Sequence, residues 1–334
     1  MRRFRGWVPL VLLTALILAV GAYATARQDA FLTEYNIQNL LLTTMPLALV
    51  AIGQTNALLV GGFDVSVAAL ITLCVVTASY TMQDGDSWPM LLLGALALLG
   101  LGLATGVFNA TLIRVLRLPS IIATLGTLSI LAGASLLLRD HPEGFIDADV
   151  IELLTTSVGF VPVAFVVVVV LAVLADVWLY RSRTGLALRA VGLDETSSRR
   201  LGMGTGRVVF LAFVVCSVMA SLAGFYSAAQ VQIGSPIIGN YALESIAAAV
   251  LGGASLAGGK GSFVGALLAA LFLSLIGNVL PLFQQPTEYA QMLIGGLILL
   301  ALVLYQAPEL LARFRSNWQG VGRLRMREGD APAA

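Results

Sequence analysis

The chain has 334 residues, 58% of them hydrophobic and only 11% charged, with a net charge of +1 and a mean hydropathy of +0.93. Soluble globular domains carry about 25% charged residues, so a water-soluble fold is excluded. The near-neutral charge leaves no footprint for nucleic acid, and a single histidine leaves little material for metal or acid–base chemistry. An integral membrane protein remains, in which Cys74 and Cys216 sit in apolar runs as small hydrophobes.

A hydrocarbon core of about 30 Å needs about 20 apolar helical residues. Ten stretches are predicted as spans: 7–26, 38–60, 65–82, 88–110, 118–138, 158–180, 208–229, 242–257, 262–280 and 289–307. The first begins after a basic start and ends on Ala24-Thr25-Ala26, which has the look of a signal-peptide cleavage site. Its apolar run is longer than a usual signal core, so it is expected to stay as an anchor. The eighth is short and broken by glycine. With the N-terminus inside, only Arg27 and Arg139 of the 19 Lys and Arg fall outside, while the outer loops carry Asp84, Asp86, Asp140, Glu143, Asp147, Asp149 and Glu152. Cytoplasmic loops hold the basic excess. The expected fold is therefore an all-α integral membrane protein with about ten transmembrane helices and both termini cytoplasmic. It comprises a cytoplasmic N-terminus at 1–6, one transmembrane domain at 7–307 with a cytoplasmic loop at 181–207, and a basic cytoplasmic tail at 308–334.

Polar groups inside spans are costly and face a bundle interior or a watery path. Gln54, Thr55, Asn56, Asn109 and Asn278 are such groups. Gln54, Asn56, Asn109 and Asn278 are candidates to line a path, and neutral amides suit an uncharged polar solute better than an ion. The alternative is that they only hydrogen-bond helix to helix. Asp64, in Gly61-Gly62-Phe63-Asp64-Val65-Ser66, is expected to cap the third span, and Glu244 to cap the eighth. Asp176 is expected to pair near Arg181 and Arg183. The apolar runs ending at Gly61-Gly62 and Gly252-Gly253 have the same predicted direction, which suggests a parallel internal repeat. In the loop 181–207, Asp194 is placed to cap a short helix that Gly202 or Gly204 would end. Leu193, Leu201 and Met203 flank its polar stretch as a docking surface for a soluble partner requires. Lys260 follows Gly258-Gly259, but a phosphate-binding loop would need Gly at 254 and Ser or Thr at 261, where Ala254 and Gly261 stand. The chain has no nucleotide site of its own in its sequence, and no cluster with metal-ligand spacing.

Four segments, taken together, resemble one family: Gly61-Gly62-Phe63-Asp64-Val65-Ser66-Val67; Leu118-Pro119-Ser120 through Gly126-Thr127; Arg189-Ala190-Val191-Gly192 through Arg200-Leu201-Gly202-Met203; and Glu244 through Gly252-Gly253 to Lys260-Gly261. They are similar to the permease subunits of ATP-binding-cassette importers for monosaccharides, of the ribose, xylose, arabinose and autoinducer-2 type. The resemblance implies a bacterial inner-membrane permease working with a second copy or a paralogue, cytoplasmic ATP-binding subunits and an extracytoplasmic sugar-binding protein. It implies no cofactor on this chain, ATP and Mg belonging to the partner, and no enzymatic activity of its own. In that picture Arg189, Gly192, Asp194, Glu195, Arg199, Arg200 and Gly202 form the loop that couples to the ATPase, and Gly61, Gly62, Asp64, Ser66, Glu244, Gly252, Gly253 and Lys260 are structural motif positions. The chain departs from the family at Ala68, where Gly is frequent, and at Asp194-Glu195-Thr196-Ser197, where Asn-Glu-Ala-Ala is commoner. An ion- or proton-coupled secondary transporter is the alternative, and it would want carboxylates at mid-span.

Overall fold

The structure, a computed structural model, describes residues 8–299 apart from 238, 287 and 298. Its helices are α1 (Val8–Arg27), α2 (Glu34–Leu59), α3 (Val67–Thr81), α4 (Trp88–Arg114), α5 (Ser120–Leu138), α6 (Ala148–Thr155), α7 (Val163–Arg181), α8 (Arg183–Leu193), α9 (Glu195–Arg200), α10 (Thr205–Val231), α11 (Tyr241–Leu251) and α12 (Phe263–Leu282). A further helical stretch covers 288–297. The strands are β1 (Glu143–Phe145), β2 (Ser157–Val158), β3 (Val161–Pro162) and β4 (Ile233–Gly234). The expected start at 1–6, residues 298 and 300–307 of the last expected span and the tail at 308–334 lie outside the described residues.

Seven of the described helices are long and apolar enough to cross a membrane. Two predicted spans are shorter than their apolar runs. At 1.5 Å per residue, the 15 residues of α3 and the 11 of α11 reach only about 22 and 16 Å. In each case apolar residues continue into non-helical backbone: 60–66 ahead of α3, and 252–262 behind α11. Non-helical backbone at membrane depth survives only where protein or a watery cavity surrounds it; Gly62, Asp64 and Ser66 in the first segment and Ala254, Ser255 and Gly259 in the second are buried, while Gly61, Gly253 and Lys260 are exposed.

The centre is α10, packed along α4, α2 and α3. Small residues let these backbones approach: Gly106 of α4 lies against the Val214 backbone, and Gly53 of α2 against that of Cys216. By contrast α1, α5 and α7 bury little of their surface and turn leucine and valine outward, as helices do against lipid. One face of the bundle carries α8 and α9; the opposite face carries the strands. There β1 pairs antiparallel with β4, and Arg139 is buried beneath them. Its guanidinium donates to Ser79 Oγ (2.7 Å) and lies 4.1 Å from the Tyr80 ring centre, joining α3 to the loop after α5. These strands and α6 are absent from the sequence reading, because two or three residues show no periodicity and the eight of α6 are too few to read as a span.

Candidate functional site

Three features at different depths bear on function, and the deepest is built on Asp64. The backbone of 60–66 is held by α5, with Ser120 Oγ accepting from Phe63 N–H at 3.2 Å and Thr124 Oγ1 donating to Phe63 O at 3.4 Å. The Gln54 amide brackets Asp64, its nitrogen donating to Asp64 O (3.0 Å) and its oxygen accepting from Asp64 N–H (3.2 Å). Fully buried, the Asp64 carboxylate accepts from Ser66 N–H (3.0 Å), Ser66 Oγ (2.5 Å) and Ser217 Oγ (3.2 Å). Asn109 Nδ2 donates to Ser66 Oγ at 2.8 Å and takes Thr127 Oγ1 on its own oxygen at 2.6 Å. The carboxylate thus draws neutral donors from its own loop, from α10 and, at 3.5 Å, from Asn109 of α4, and the surrounding network extends to α2 and α5. The expected cap is corrected in detail: Ser66, not Asp64, is the cap residue of α3, and Asp64 closes a turn two residues upstream.

The second feature lies on the α8–α9 face. Gly61 (φ +75°) and Gly253 (φ +100°) end α2 and α11 in the same way. Gly61 N–H donates to Leu58 O and Gly62 N–H to Ala57 O; likewise Gly253 N–H donates to Val250 O and Ala254 N–H to Ala249 O. This is the Schellman closure, which needs a left-handed residue at its turn. The two glycine pairs therefore close their helices alike, in a register shifted by one: Gly61 corresponds to Gly253, not Gly252. Gly252 instead packs against the Gly265 backbone at the start of α12. Against the first of these ends sits α8. Gly192 lies so close that an added Cβ would stand 1.7 Å from Leu59 O and 2.6 Å from Gly259 N, while Gly259 N–H donates to Leu59 O at 2.9 Å. Backbone from α2, α8 and the loop before α12 is thus in direct contact.

From this junction the chain turns outward into α9. Asp194 caps it, accepting from Thr196 N–H (2.9 Å) and Ser197 N–H (3.1 Å), and Gly202 follows its end at φ +80°. Leu193 and Leu201 are exposed, as are Arg199 and Arg200. Arg189 is turned away, its guanidinium 4.7 Å from the Tyr180 ring centre, and Lys260 is exposed. Glu195 receives Arg114 at 2.6 Å and Arg199 at 3.0 Å. The hydrogen bonds from Arg114 hold its carboxyl down to about 2 from an ordinary 4.5. A depressed carboxyl contributes stability above its ordinary value and loses it as pH falls toward the folded one. Hydrogen exchange of 195–200, corrected for intrinsic rates, is therefore expected to be flat from pH 7 to pH 5 and to rise several-fold at pH 7 in Glu195→Gln. A flat response in the variant would remove the bridge from the account of α9.

Asp176 does not pair with Arg181 or Arg183, as expected from their proximity in sequence. It reaches across to the start of α12, accepting from Phe263 N–H and Ser262 Oγ, both at 2.7 Å. Four donors at a helix start need acceptors, and a carboxylate there satisfies two while meeting the positive end of the dipole.

The third feature is a cavity of about 310 Å³ in the half of the bundle nearer the strands, between α2, α11, α12 and 288–297. Its polar lining comes from Asn39, Thr43, Tyr241, Glu244, Ser274 and Asn278. Of the four expected path residues, Asn278 lines this cavity and exchanges two amide hydrogen bonds with Asn36 (2.9 and 3.2 Å). Gln54 and Asn109 face Asp64 in the closed network instead. Asn56 donates to Ile52 O of its own helix and borders a second, mainly apolar cavity beside α8. Glu244 is corrected as well: Asn240 occupies the cap of α11, and Glu244 is in the first turn, half-buried and facing the cavity. Asn39, Thr43 and Ser274 escaped the sequence reading, since an isolated polar residue near a span end carries no signal of its own.

Residues 36–302 match the family described as branched-chain amino acid transport system, permease component. The autoinducer 2 import system permease protein LsrC of Enterobacter sp. (strain 638) is 35% identical over 296 residues, covering 86% of this chain and 84% of its own length. The LsrC protein of Yersinia pseudotuberculosis serotype O:3 (strain YPIII) is 36% identical over 263 residues, 78% of this chain and 73% of its own. No solved structure matches.

Proposed function

The chain belongs to this family of transport permeases, and from that premise we propose that it is the membrane-spanning subunit of an ATP-binding-cassette importer for a small sugar. The reading has it take solute from an extracytoplasmic binding protein, beside a second permease copy or paralogue, in a bacterial inner membrane. The strand-bearing face is the outer one and the α8–α9 face is cytoplasmic, in line with the basic excess of 181–207. Ten spans with both ends inside, forming one permease domain at 7–307, complete this topology, with α3 and α11 as short, discontinuous members. The chain itself holds no nucleotide, and ATP and Mg act in the partner subunit.

The observation that supports this reading most is the seating of Gly192 on Leu59 and Gly259. A partner docked on the exposed α9 would move α8, and α8 bears without intervening side chains on the ends of α2 and of the loop that starts α12. Force delivered to α9 by an ATPase closing on ATP is thereby passed to helices that line the outer cavity. Affinity capture of the tagged chain from its native membranes tests the reading: a stoichiometric ATP-binding subunit is expected, and repeated recovery of the chain alone, with a control importer intact, would overturn it in favour of a secondary transporter.

Arg199→Glu with Arg200→Glu is expected to cut ATP-driven uptake at least about ten-fold, a coupling loss within the usual 1–3 kcal/mol range. The level of protein in the membrane should be unchanged, because both side chains are exposed. Normal uptake by the double variant would remove α9 from the docking surface.

A further inference from the structure

The cavity between α2, α11 and α12 carries chemistry of its own. Among the described residues Glu244 is the one charged group in the lining, and nothing hydrogen-bonds its carboxylate. A half-buried carboxylate at membrane depth is costly unless donors meet it. The chain reaches this depth through non-helical backbone at 232–237 and 239–240 before α11 begins, and such breaks are tolerated where they line a cavity. The volume of about 310 Å³ falls at the small end of the range for small-molecule sites, about 300–1,000 Å³.

We propose that this cavity is a solute-binding station of the permease, taking a neutral, hydroxyl-rich molecule of monosaccharide size whose hydroxyl groups donate to Glu244. The proposal rests on the permease reading above. Hydroxyls of Tyr241 and Ser274 and the amides of Asn39 and Asn278 can both donate and accept, matching the dual character of solute hydroxyls, while Thr43 Oγ1, whose proton goes to Asn39 O, is left to accept. An anion is disfavoured by Glu244. A zwitterionic amino acid would find a partner for its ammonium but, among the described residues of the lining, no cationic side chain for its carboxylate. Asn278, tied to Asn36 on both amide atoms, fixes α12 to α2 at the cavity wall and keeps that wall preorganised. Gly277 gives the cavity its depth, since a Cβ built there meets nothing within 4 Å.

The test uses the full-length protein in lipid nanodiscs and reads its melting temperature with 50-fold steps of D-ribose, ribitol, D-ribose 5-phosphate and L-leucine. A neutral sugar or polyol is expected to raise the midpoint by about 2 °C or more, and the phosphate and the amino acid to leave it unmoved. Glu244→Gln and Gly277→Leu should abolish the shift while melting, without solute, close to the parent; the first removes the charged acceptor and the second fills open space. The proposal is overturned if neither neutral compound shifts the midpoint, if the phosphate or leucine shifts it more, or if both variants keep the response. ATP-driven uptake by the whole importer separates the two levels. Full uptake in both variants would sink the cavity assignment and leave the permease reading standing, whereas absence of an ATPase in the capture experiment would sink the permease reading itself.

Discussion

Gly192→Ala is expected to lower ATP-driven uptake by about ten-fold or more, the size of a typical loss of coupling between sites. The reason is steric. The new methyl carbon would stand 1.7 Å from Leu59 O and 2.6 Å from Gly259 N, both main-chain atoms. No rotamer change relieves such a clash, so α8 must withdraw by more than an ångström, and the Gly259 N–H bond to Leu59 O at 2.9 Å is pried open. Overpacking of this kind costs about 1–3 kcal/mol in ordinary cores, and more where only backbone is available to yield. Gly206→Ala provides the comparison. It lies in the first turn of α10, on the same face, and its added carbon approaches only the Arg114 guanidinium, at 4.0 Å. Uptake by that variant should stay within about two-fold of the parent, because Ala is a better helix former than Gly. Uptake assays on the reconstituted importer, with capture of the ATPase measured alongside, read both. Retained capture with lost uptake is the expected signature for Gly192→Ala, since α9 still docks but no longer pulls. Equal behaviour of the two variants would show that the junction transmits nothing.

Several parts of this arrangement are legible along the chain, and their limits follow from what kind of signal each leaves. The helical class follows from apolar runs of sufficient length. The start and end of α9 follow from Asp194 and Gly202, because capping is a local matter of one side chain and the next three amides. Span length is less faithful. Hydropathy counts apolar residues without asking whether they are helical, so α3 and α11 read longer than they are. The paired glycines show that α2 and α11 end alike, but only the backbone tells which glycine of each pair takes the left-handed position. Asp64, Gln54 and Asn109 stand out one by one as polar residues in apolar surroundings. That they meet is a property of α2, α4 and α10 crossing, and residues 54, 64, 109 and 217 have no spacing that would announce it. The same holds for Asp176 at the head of α12 and for Gly192 on Leu59. Glu244 misled for a different reason: an acid just ahead of an apolar helix looks the same in sequence whether it caps the helix or faces a cavity from its first turn.

Asp64→Ala is expected to destabilise the folded protein by about 3 kcal/mol or more, because buried donors left without an acceptor cost about 1–3 kcal/mol each. Ser66 N–H, Ser66 Oγ and Ser217 Oγ all lose their acceptor in that variant. Asp64→Asn keeps Oδ1 for both Ser66 contacts and places an amide nitrogen opposite Ser217 Oγ, which as a hydroxyl is free to accept instead of donate. The expected cost is then about 1 kcal/mol, measured as the shift in detergent-denaturation midpoint. The pair of variants also decides between a structural carboxylate and one that binds a coupling ion. A permease driven by ATP has no use for charge at this position beyond holding α3, α4 and α10 together, so Asp64→Asn should support near-normal ATP-driven uptake, and Asp64→Ala should fail by loss of folded protein. An ion-coupled transporter would give the opposite pattern for Asn: a folded protein, a normal midpoint, and uptake that has lost its dependence on the ion gradient with no requirement for ATP. The geometry favours the first pattern. Every donor to Asp64 is a neutral protein group, from Ser66 at the head of α3 or from α10 and α4, the carboxylate is fully buried, and the Gln54 amide seals its backbone on the remaining side. A carboxylate that must exchange an ion with water in each cycle needs a path to it, and this one is enclosed by the side chains that use it.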